Sequence, residues 1–242
     1  NKMVSIVTAI GTGIIISLIP SLVSAYVKKD TKAVNREFNK ALQILFFVIL
    51  PLSLFVSVFS REVWTIFYGY NSHGPIEMKY LFIVAFFDAS FTMTCSALQG
   101  LNKRKLIYIS VLVGLGINAA LDLPLIYFFN YLIWPPYYGA ITATLIGYAL
   151  SLIIVLVSLA KSDGLSYNET FKKLPMQLLK TLCILGICLI FRHFITPITN
   201  RVILLILMGI IGLFFVISYY VLNKKIIEEL LGKDFLKKII KR

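Results

Sequence analysis

Charged residues and metal-binding residues are scarce in this chain of 242 residues. Only 14% of the residues are charged, against about 25% in a typical soluble domain, and the mean hydropathy is +0.87. The three cysteines lie in apolar runs and form no Cys-x-x-Cys pair, so the sequence predicts neither a disulfide framework nor a metal site. No Ser-His-Asp order, phosphate-binding loop, HExxH or paired-carboxylate motif occurs. We therefore expect neither an enzyme nor a cofactor, and this composition argues against a water-soluble fold.

Long apolar runs dominate what is present. A helix needs about 20 apolar residues to cross the hydrocarbon core of a bilayer, and lipid requires each crossing to satisfy its own backbone hydrogen bonds. The fold class predicted is all-α, a polytopic transmembrane helix bundle with seven spans. The predicted spans are Val4–Val27, Ala41–Ser60, Tyr80–Leu101, Leu106–Phe128, Gly139–Ala160, Gln177–Ile195 and Val202–Leu222.

The basic residues are unevenly distributed between alternate connections. The chain carries 24 Lys and Arg against 11 Asp and Glu, a net charge of +13. In a soluble protein this excess would suggest nucleic acid, but the hydropathy overrides that interpretation and no nucleic acid is expected. Nineteen basic residues fall in one alternate set of connections, and five fall in the other: Lys2, Arg61, Lys79, Arg192 and Arg201. The positive-inside rule places the N-terminus outside a cell membrane and the C-terminus in the cytoplasm.

Three further features concern the ends and surfaces of the spans. Two connections, Thr31 to Leu42 and the tail 223–242, are basic and amphipathic, which is typical of helices lying on the anionic inner leaflet. Aromatic residues before Gly74 and around Pro135 indicate interfacial belts, with a ligand-binding platform as the alternative. Because the chain begins at Asn1, we expect it to be part of a larger protein with an odd number of preceding spans.

Two acidic residues lie inside predicted spans, where an ionisable group is costly unless it is paired or wet. Asp88 belongs to a helical stripe with Thr92, Cys95 and Gln99, and Asp122 belongs to a stripe with Gly114 and Asn118. At 1.5 Å rise per residue, both acids lie about 9–12 Å from the outer boundary. One interpretation is a hydrophilic cavity lining with a titratable acid. The alternative is interhelical hydrogen bonding that only joins two helices.

Small and hydroxyl residues mark two other helical faces. Thr8 and Thr12 share a face of the first span with Ser5 and are further candidates for the cavity lining. In the fifth span, small residues recur at every fourth position: Gly139, Ala143, Gly147 and Ser151. This small-xxx-small stripe predicts close helix packing rather than binding.

Several short motifs occur in an order that is similar to that of a known family. They are Gly11-Thr12-Gly13, the run Leu18 to Tyr26 (LIPSLVSAY), the span end Ala97 to Lys103 (ALQGLNK), Asn118 with Pro124-Leu125-Ile126, and Tyr138 to Thr144 (YGAITAT). Together they resemble the lipid-linked oligosaccharide flippases, the MurJ, Wzx and stage V sporulation protein B branches of the multidrug/oligosaccharidyl-lipid/polysaccharide exporter superfamily. The resemblance covers residues 4–160, and the last two spans match only in number and position.

This resemblance implies a C-terminal portion, the second lobe of a two-lobed transporter with fourteen helices. It divides the chain into five lobe spans (1–160), two additional spans (161–222) and a cytoplasmic tail (223–242). It implies alternating access for an undecaprenyl-pyrophosphate-linked saccharide, a peptidoglycan precursor or polysaccharide unit. The partners implied are that lipid, the membrane and the missing N-terminal lobe. Some members carry an arginine near the start of the first span, where this chain has Lys2.

Two alternatives remain open from the sequence. A cation-coupled multidrug antiporter of the same superfamily would fit the same helices, but a cationic substrate would favour more than two cavity acids. A non-catalytic membrane scaffold of cell-envelope biosynthesis would need no polar cavity, and would tolerate apolar replacements on the Asp88 and Asn118 faces.

Overall fold

The computed structural model of the chain describes residues 2–70, 73–195 and 200–231, with side chains throughout except at 2–8, 10–12, 14, 15, 17, 194 and 229–231. These residues form eight α-helices and, within the ranges described, no strand. The helices are α1 (Lys2–Val27), α2 (Thr31–Val58), α3 (Ser60–Tyr68), α4 (Gly74–Gly100), α5 (Arg104–Tyr131), α6 (Tyr137–Asp163), α7 (Asn168–Ile195) and α8 (Arg201–Leu231). The all-α prediction is confirmed.

Six of the described helices, α2 and α4 to α8, are long and apolar enough to cross a membrane. The chain is therefore a multi-pass membrane protein. In α1 the described side chains form a shorter apolar helix, Leu18–Val27, so the seventh span stays a prediction. The sidedness of the termini also stays a prediction.

The segment that was expected on the inner leaflet is instead the beginning of α2. Val34, Phe38 and Leu42 are 5%, 0% and 2% exposed, so their shared face packs inside the protein rather than against lipid. Phe38 contacts the ring of Tyr167 at 6.0 Å. The prediction of a membrane-surface helix at Thr31 to Leu42 is wrong, because amphipathic periodicity alone does not distinguish a lipid face from a protein face.

Two other predicted surface segments are partly helical. Trp64, Phe67 and Tyr68 belong to the short helix α3, where Phe67 and Tyr68 are exposed, and Tyr70 follows it; their interfacial role stays a prediction. The tail begins as the end of α8, in which Asn223 is 1% exposed. The Nζ of Lys180 donates to the carbonyl of Leu222 at 2.9 Å. Residues 232–242, which carry the rest of the predicted tail, lie outside the described residues.

The chain divides into two compact units. Unit 1 comprises residues 1–54 and 80–167, and unit 2 comprises residues 55–79 and 168–242. The units are defined by packing within the chain. The predicted division at residues 160 and 222 concerns family organisation and stays a prediction.

The motif ALQGLNK ends α4 and positions the next connection. Asn102 adopts a left-handed backbone with φ 57°, which asparagine tolerates better than most residues. At Gly100 an added Cβ would stand 2.9 Å from Cγ2 of Val23, so glycine lets α1 approach α4 closely. Lys103 then pairs with Asp163 at the end of α6.

Hydrogen bonds join three connections at one end of unit 1. Asn39 donates to the carbonyl of Ser166 at 2.8 Å, and the Ser166 amide donates to Oδ1 of Asn35 at 3.0 Å. Burial and the charge of Asp163 raise the pKa of Tyr167, so its hydroxyl stays protonated and donates to the carbonyl of Leu156 at 3.1 Å. Together with the Lys103–Asp163 pair, these contacts bring three segments close together, and all three were predicted to be basic cytoplasmic connections.

Helices α5 and α6 cross with their backbones in close approach. Gly139, Ala143, Gly147 and Ser151 are all buried, which confirms the predicted packing stripe. Ser151 Oγ donates to the carbonyl of Ser110 at 2.9 Å. A Cβ at Gly147 would lie 2.9 Å from the carbonyl oxygen of Gly114, so only glycine fits at this crossing.

We expect Gly114→Ala to destabilise the protein by about 1–3 kcal/mol, because its new methyl would overlap the Ser151 hydroxyl and stand 2.8 Å from the Gly147 carbonyl. Thermal unfolding in detergent, followed by loss of the monodisperse chromatographic peak, measures the effect. The matched control is Gly116→Ala on the same helix, where an added Cβ meets nothing within 4 Å. Equal thermal stability of the two variants would contradict the close crossing.

For sidedness, we expect Lys105→Cys to react with a membrane-impermeant maleimide only after the cells are opened. Tyr131→Cys, at the other end of α5 and 83% exposed, should react in intact cells. The reason is the excess of basic residues around Lys105, which favours retention on the cytoplasmic side. Labelling is read by mass shift, with the chain carrying only its natural cysteines as background. The reverse pattern would invert the predicted topology.

Candidate functional site

A polar groove of about 350 Å³ lies in unit 1 among α4, α5 and α6. Each of the three helices is apolar enough to span a membrane, yet each contributes hydrogen-bonding groups to this one space. The lining residues are Asp88, Phe91 and Thr92 from α4, Val111, Gly114, Leu115 and Asn118 from α5, and Thr144, Gly147, Tyr148 and Ser151 from α6.

Asp88 is the charged group of the groove. The hydroxyls of Thr92, one turn further along α4, and Tyr148 of α6 interact with this carboxylate. The ring of Tyr148 also packs against Phe91, with ring centroids 6.2 Å apart. These contacts hold a half-buried carboxylate between two helices without placing it against a basic residue.

The close crossing of α5 and α6 shapes the floor of the groove. Because Gly114 and Gly147 carry no side chains, the backbones meet below the groove, and the larger polar groups stand around them. Asn118 lies beside this contact, because a Cβ added at Gly147 would stand 3.2 Å from the Cβ of Asn118. The hydroxyl of Thr144 donates to the carbonyl of Ala140 at 2.9 Å, which leaves its oxygen able to accept.

The chemistry of this lining favours a neutral, hydrogen-bonding ligand. Hydroxyl, amide and carboxylate groups together accept and donate hydrogen bonds as sugar hydroxyls and amides require. Among the described lining residues there is no Lys or Arg, so the groove is poorly matched to a phosphate. A volume of about 350 Å³ lies at the lower end of the range of ligand pockets.

The structure brings together some of the predicted residues and separates others. Asp88, Thr92 and Asn118 line the groove, and Gly114 lies at its floor. Gln99 instead lines a separate pocket of about 250 Å³ with Arg104, Ile107 and Tyr108. Asp122, one turn beyond Asn118, is not a lining residue and is partly exposed. The predicted candidates Lys2, Thr8 and Thr12 have side chains outside those described.

The α6 contribution was missed from the sequence. Thr144, Tyr148 and Ser151 occur at i, i+4 and i+7, which places them on one helical face. This polar face lies next to the small-residue stripe, and the stripe was interpreted as packing alone. The same spacing rule that identified the α4 stripe would have identified this face as well.

Comparison with known proteins adds one relative. No family model matches the chain. The chain is similar to the lipid II flippase MurJ of Bacillus subtilis (strain 168), with 29% identity over 191 residues. The match covers 77% of this chain and 34% of that protein, so the chain spans about a third of its relative's length. The relative supports the flippase family that the sequence motifs indicated.

We expect Asp88 and Tyr148 to be energetically coupled. A double-mutant cycle of Asp88→Asn and Tyr148→Phe should give a coupling free energy of about 0.6 kcal/mol or more, a typical value for hydrogen bonds between membrane helices. Unfolding of the four proteins in mixed micelles measures it. Tyr127→Phe, at an α5 tyrosine that is 71% exposed, replaces Tyr148→Phe in the control cycle. Equal coupling in both cycles would contradict the contact.

Proposed function

We propose that this chain, a homologue of the lipid-linked oligosaccharide flippases, forms part of a transporter that moves a lipid-linked saccharide across the cytoplasmic membrane. The finer assignment is an undecaprenyl-pyrophosphate-linked saccharide, moved from the inner to the outer leaflet by alternating access. Three observations support it: the MurJ relative, the membrane-spanning helices, and a polar groove within them. The groove carries the argument, because hydrocarbon alone offers a sugar no hydrogen bonds.

The physical problem is to carry a polar headgroup through hydrocarbon while its lipid chain stays in the membrane. A saccharide that leaves water loses its hydrogen bonds unless the protein replaces them. The groove of Asp88, Thr92, Asn118, Thr144 and Tyr148 supplies replacements from three helices. We infer that it receives part of the saccharide during transport.

Alternating access requires a second wall that can move relative to the first. Transporters of this general design rock one lobe against another around a site near the bilayer midplane. We propose that this chain supplies one lobe, and that the lobe expected upstream supplies the other. The cationic groups that meet a lipid diphosphate in the family are then expected mainly from that lobe.

Asp88 is the proposed coupling residue. A carboxylate within a membrane responds to protons, to cations and to the membrane potential. Its interaction with Tyr148 connects α4 to α6. A change in its charge therefore alters the contact between these helices.

The Asp88 carboxylate also fits a second candidate function, the export of an organic cation in exchange for protons or sodium. One acid among the described lining residues is a weak match for a cationic substrate. Side-by-side assays in proteoliposomes distinguish the two functions. Turnover of a lipid-linked saccharide without export of an organic cation supports the flippase, and the opposite result supports the antiporter.

We expect Asp88→Asn and Asn118→Leu each to lower transport of a lipid-linked saccharide by about tenfold or more, equivalent to about 1.4 kcal/mol. Asp88→Asn replaces a charged acceptor with a weaker neutral amide, and Asn118→Leu removes a hydrogen-bonding group. Transport is measured by the accessibility of a labelled headgroup in proteoliposomes. The matched control is Asp122→Asn, which removes the same charge outside the groove and should retain transport.

The outcomes separate a transporter from a scaffold. If both groove variants reach the membrane, stay monodisperse and still transport like the wild type, the groove is not the headgroup site. If Asp122→Asn lowers transport and Asp88→Asn does not, the coupling residue is Asp122. A scaffold predicts no transport by the wild type either.

A further inference from the structure

A second groove, of about 550 Å³, lies within unit 2 and has the opposite electrostatic character. It is formed where α2 ends, where α3 and α4 begin, and near the end of α7. We call it the basic groove. Its lining residues are Val58, Ser60, Arg61, Tyr70, Pro75, Ile76, Lys79, Leu189 and Arg192. Three of these carry a positive charge, and among the described lining residues none is acidic.

Arg192 and Arg61 are held in place by contacts with other side chains. The Nε of Arg192 donates to Oε1 of Glu62 at 2.8 Å, and Glu62 is only 2% exposed, so the ion pair joins α7 to α3. The guanidinium of Arg61 stands over the ring of Tyr70, with its central carbon 5.9 Å from the ring centroid. Lys79 lies one turn beyond Pro75 on α4 and is exposed. The groove therefore presents oriented donors rather than freely moving side chains.

The basic groove holds most of the positive charge that is predicted to lie on the outer side. Only five basic residues fall in the connections predicted to lie outside, and three of them, Arg61, Lys79 and Arg192, line the basic groove. A fourth, Arg201, lies next to it, because a Cβ added at Gly69 would collide with the Arg201 guanidinium. Gly69 precedes Tyr70 and has φ 86°, a conformation that suits glycine.

Basic residues are depleted from the outer connections of membrane proteins. Four of the five basic residues predicted to lie outside are nevertheless gathered at this groove, so positive charge is concentrated there. Three cations outnumber the single carboxylate of Glu62 that pairs with Arg192 behind the groove. The matching ligand is an anion that accepts several hydrogen bonds, and guanidinium groups favour phosphate oxygens.

The rest of the lining indicates the molecule that carries the phosphate. Val58, Ile76 and Leu189 give the basic groove apolar walls, and exposed Phe67 and Tyr68 lie on the neighbouring helix α3. Aromatic residues of this kind are typical of the membrane–water interface. A ligand with a phosphate group and an attached apolar chain satisfies both parts of the lining.

We propose that the basic groove binds the phosphate group of a membrane lipid at the predicted outer surface. Arg61 and Arg192 donate to its oxygens, Lys79 adds charge, and the apolar walls contact the lipid's hydrocarbon. The phosphate belongs either to a resident anionic phospholipid or to the diphosphate of a transported lipid. The inference rests on unit 2 alone and on the predicted sidedness, and it stands whether or not the groove of unit 1 binds a saccharide.

The test uses the protein in nanodiscs of zwitterionic lipid that contain a trace of photoactivatable phosphatidylglycerol. We expect cross-links in the wild type to map to residues 58–79 and 189–192. The double variant Arg61→Gln/Lys79→Gln should bind this lipid at least about tenfold more weakly, since it loses two positively charged hydrogen-bond donors to the phosphate. The matched control, Lys105→Gln/Lys172→Gln, removes two exposed charges from predicted cytoplasmic connections and should bind like the wild type.

Competition distinguishes the two sources of phosphate. Each competitor is added before photolysis. A polyprenyl diphosphate that suppresses cross-linking at a concentration at least about tenfold lower than unlabelled phosphatidylglycerol requires assigns the groove to the transported lipid. The converse result assigns it to a resident phospholipid. Inorganic pyrophosphate as a third competitor tests whether the phosphate alone suffices. Any of these displacement patterns, with the loss confined to the Arg61/Lys79 variant, supports the proposal.

Two further measurements distinguish the loss of the binding site from misfolding of the variants. Thermal stabilisation by phosphatidylglycerol should be present in the wild type and in Lys79→Arg, which keeps the charge, and absent in the double variant. The cross-link map needs no variant at all. Cross-links outside the basic groove, or equal binding by the Arg61/Lys79 variant and its control, would overturn the proposal.

Discussion

The absence of hydrogen-bonding partners in hydrocarbon is the constraint on which the structure depends. Each helix that spans a membrane satisfies its own backbone, but a side-chain carboxylate or hydroxyl must find a partner in another part of the protein. Asp88 finds Thr92 and Tyr148, and Ser151 finds the Ser110 carbonyl. Polar groups that would be costly against lipid are thereby collected into one groove, where they become available to a ligand.

The two grooves differ in their chemistry. The groove of unit 1 has hydroxyl, amide and carboxylate groups, and no basic residue among the described lining residues. The basic groove of unit 2 has the reverse composition, with Arg61, Lys79 and Arg192 and no acidic residue among the described lining residues. The first lining suits a neutral hydrogen-bonding group, and the second suits an anion.

Much of the fold was predictable, because membrane helices are specified by local composition. Length and hydropathy identified the six spans that the described helices form. The four-residue spacing of Gly139, Ala143, Gly147 and Ser151 predicted close packing but not its partner, α5. The segment from Thr31 to Leu42 was misjudged, since an apolar face looks the same whether it meets lipid or protein. The helix α3 was missed because its nine residues are too few to span a membrane and its aromatic residues were interpreted as an interfacial belt.

The sites were less predictable, because they depend on contacts between distant parts of the chain. The sequence identified Asp88 and Asp122 as equivalent acids, and only the packing of α4 against α6 distinguishes the one that lines the groove. Glu62 and Arg192 are separated by 130 residues, and nothing local indicates that their ion pair places Arg192 in one groove with Arg61.

The glycine contact between α5 and α6 has a mechanical consequence. Two helices that meet backbone to backbone at Gly114 and Gly147 have no side chains between them to repack, so they cannot slide past each other by small rotamer changes. Asn118, Thr144 and Tyr148 are therefore carried on a pair of helices that resists sliding. Helix α4 contacts this pair through Asp88 and Tyr148, so a proton on the Asp88 carboxylate weakens one contact between α4 and the pair.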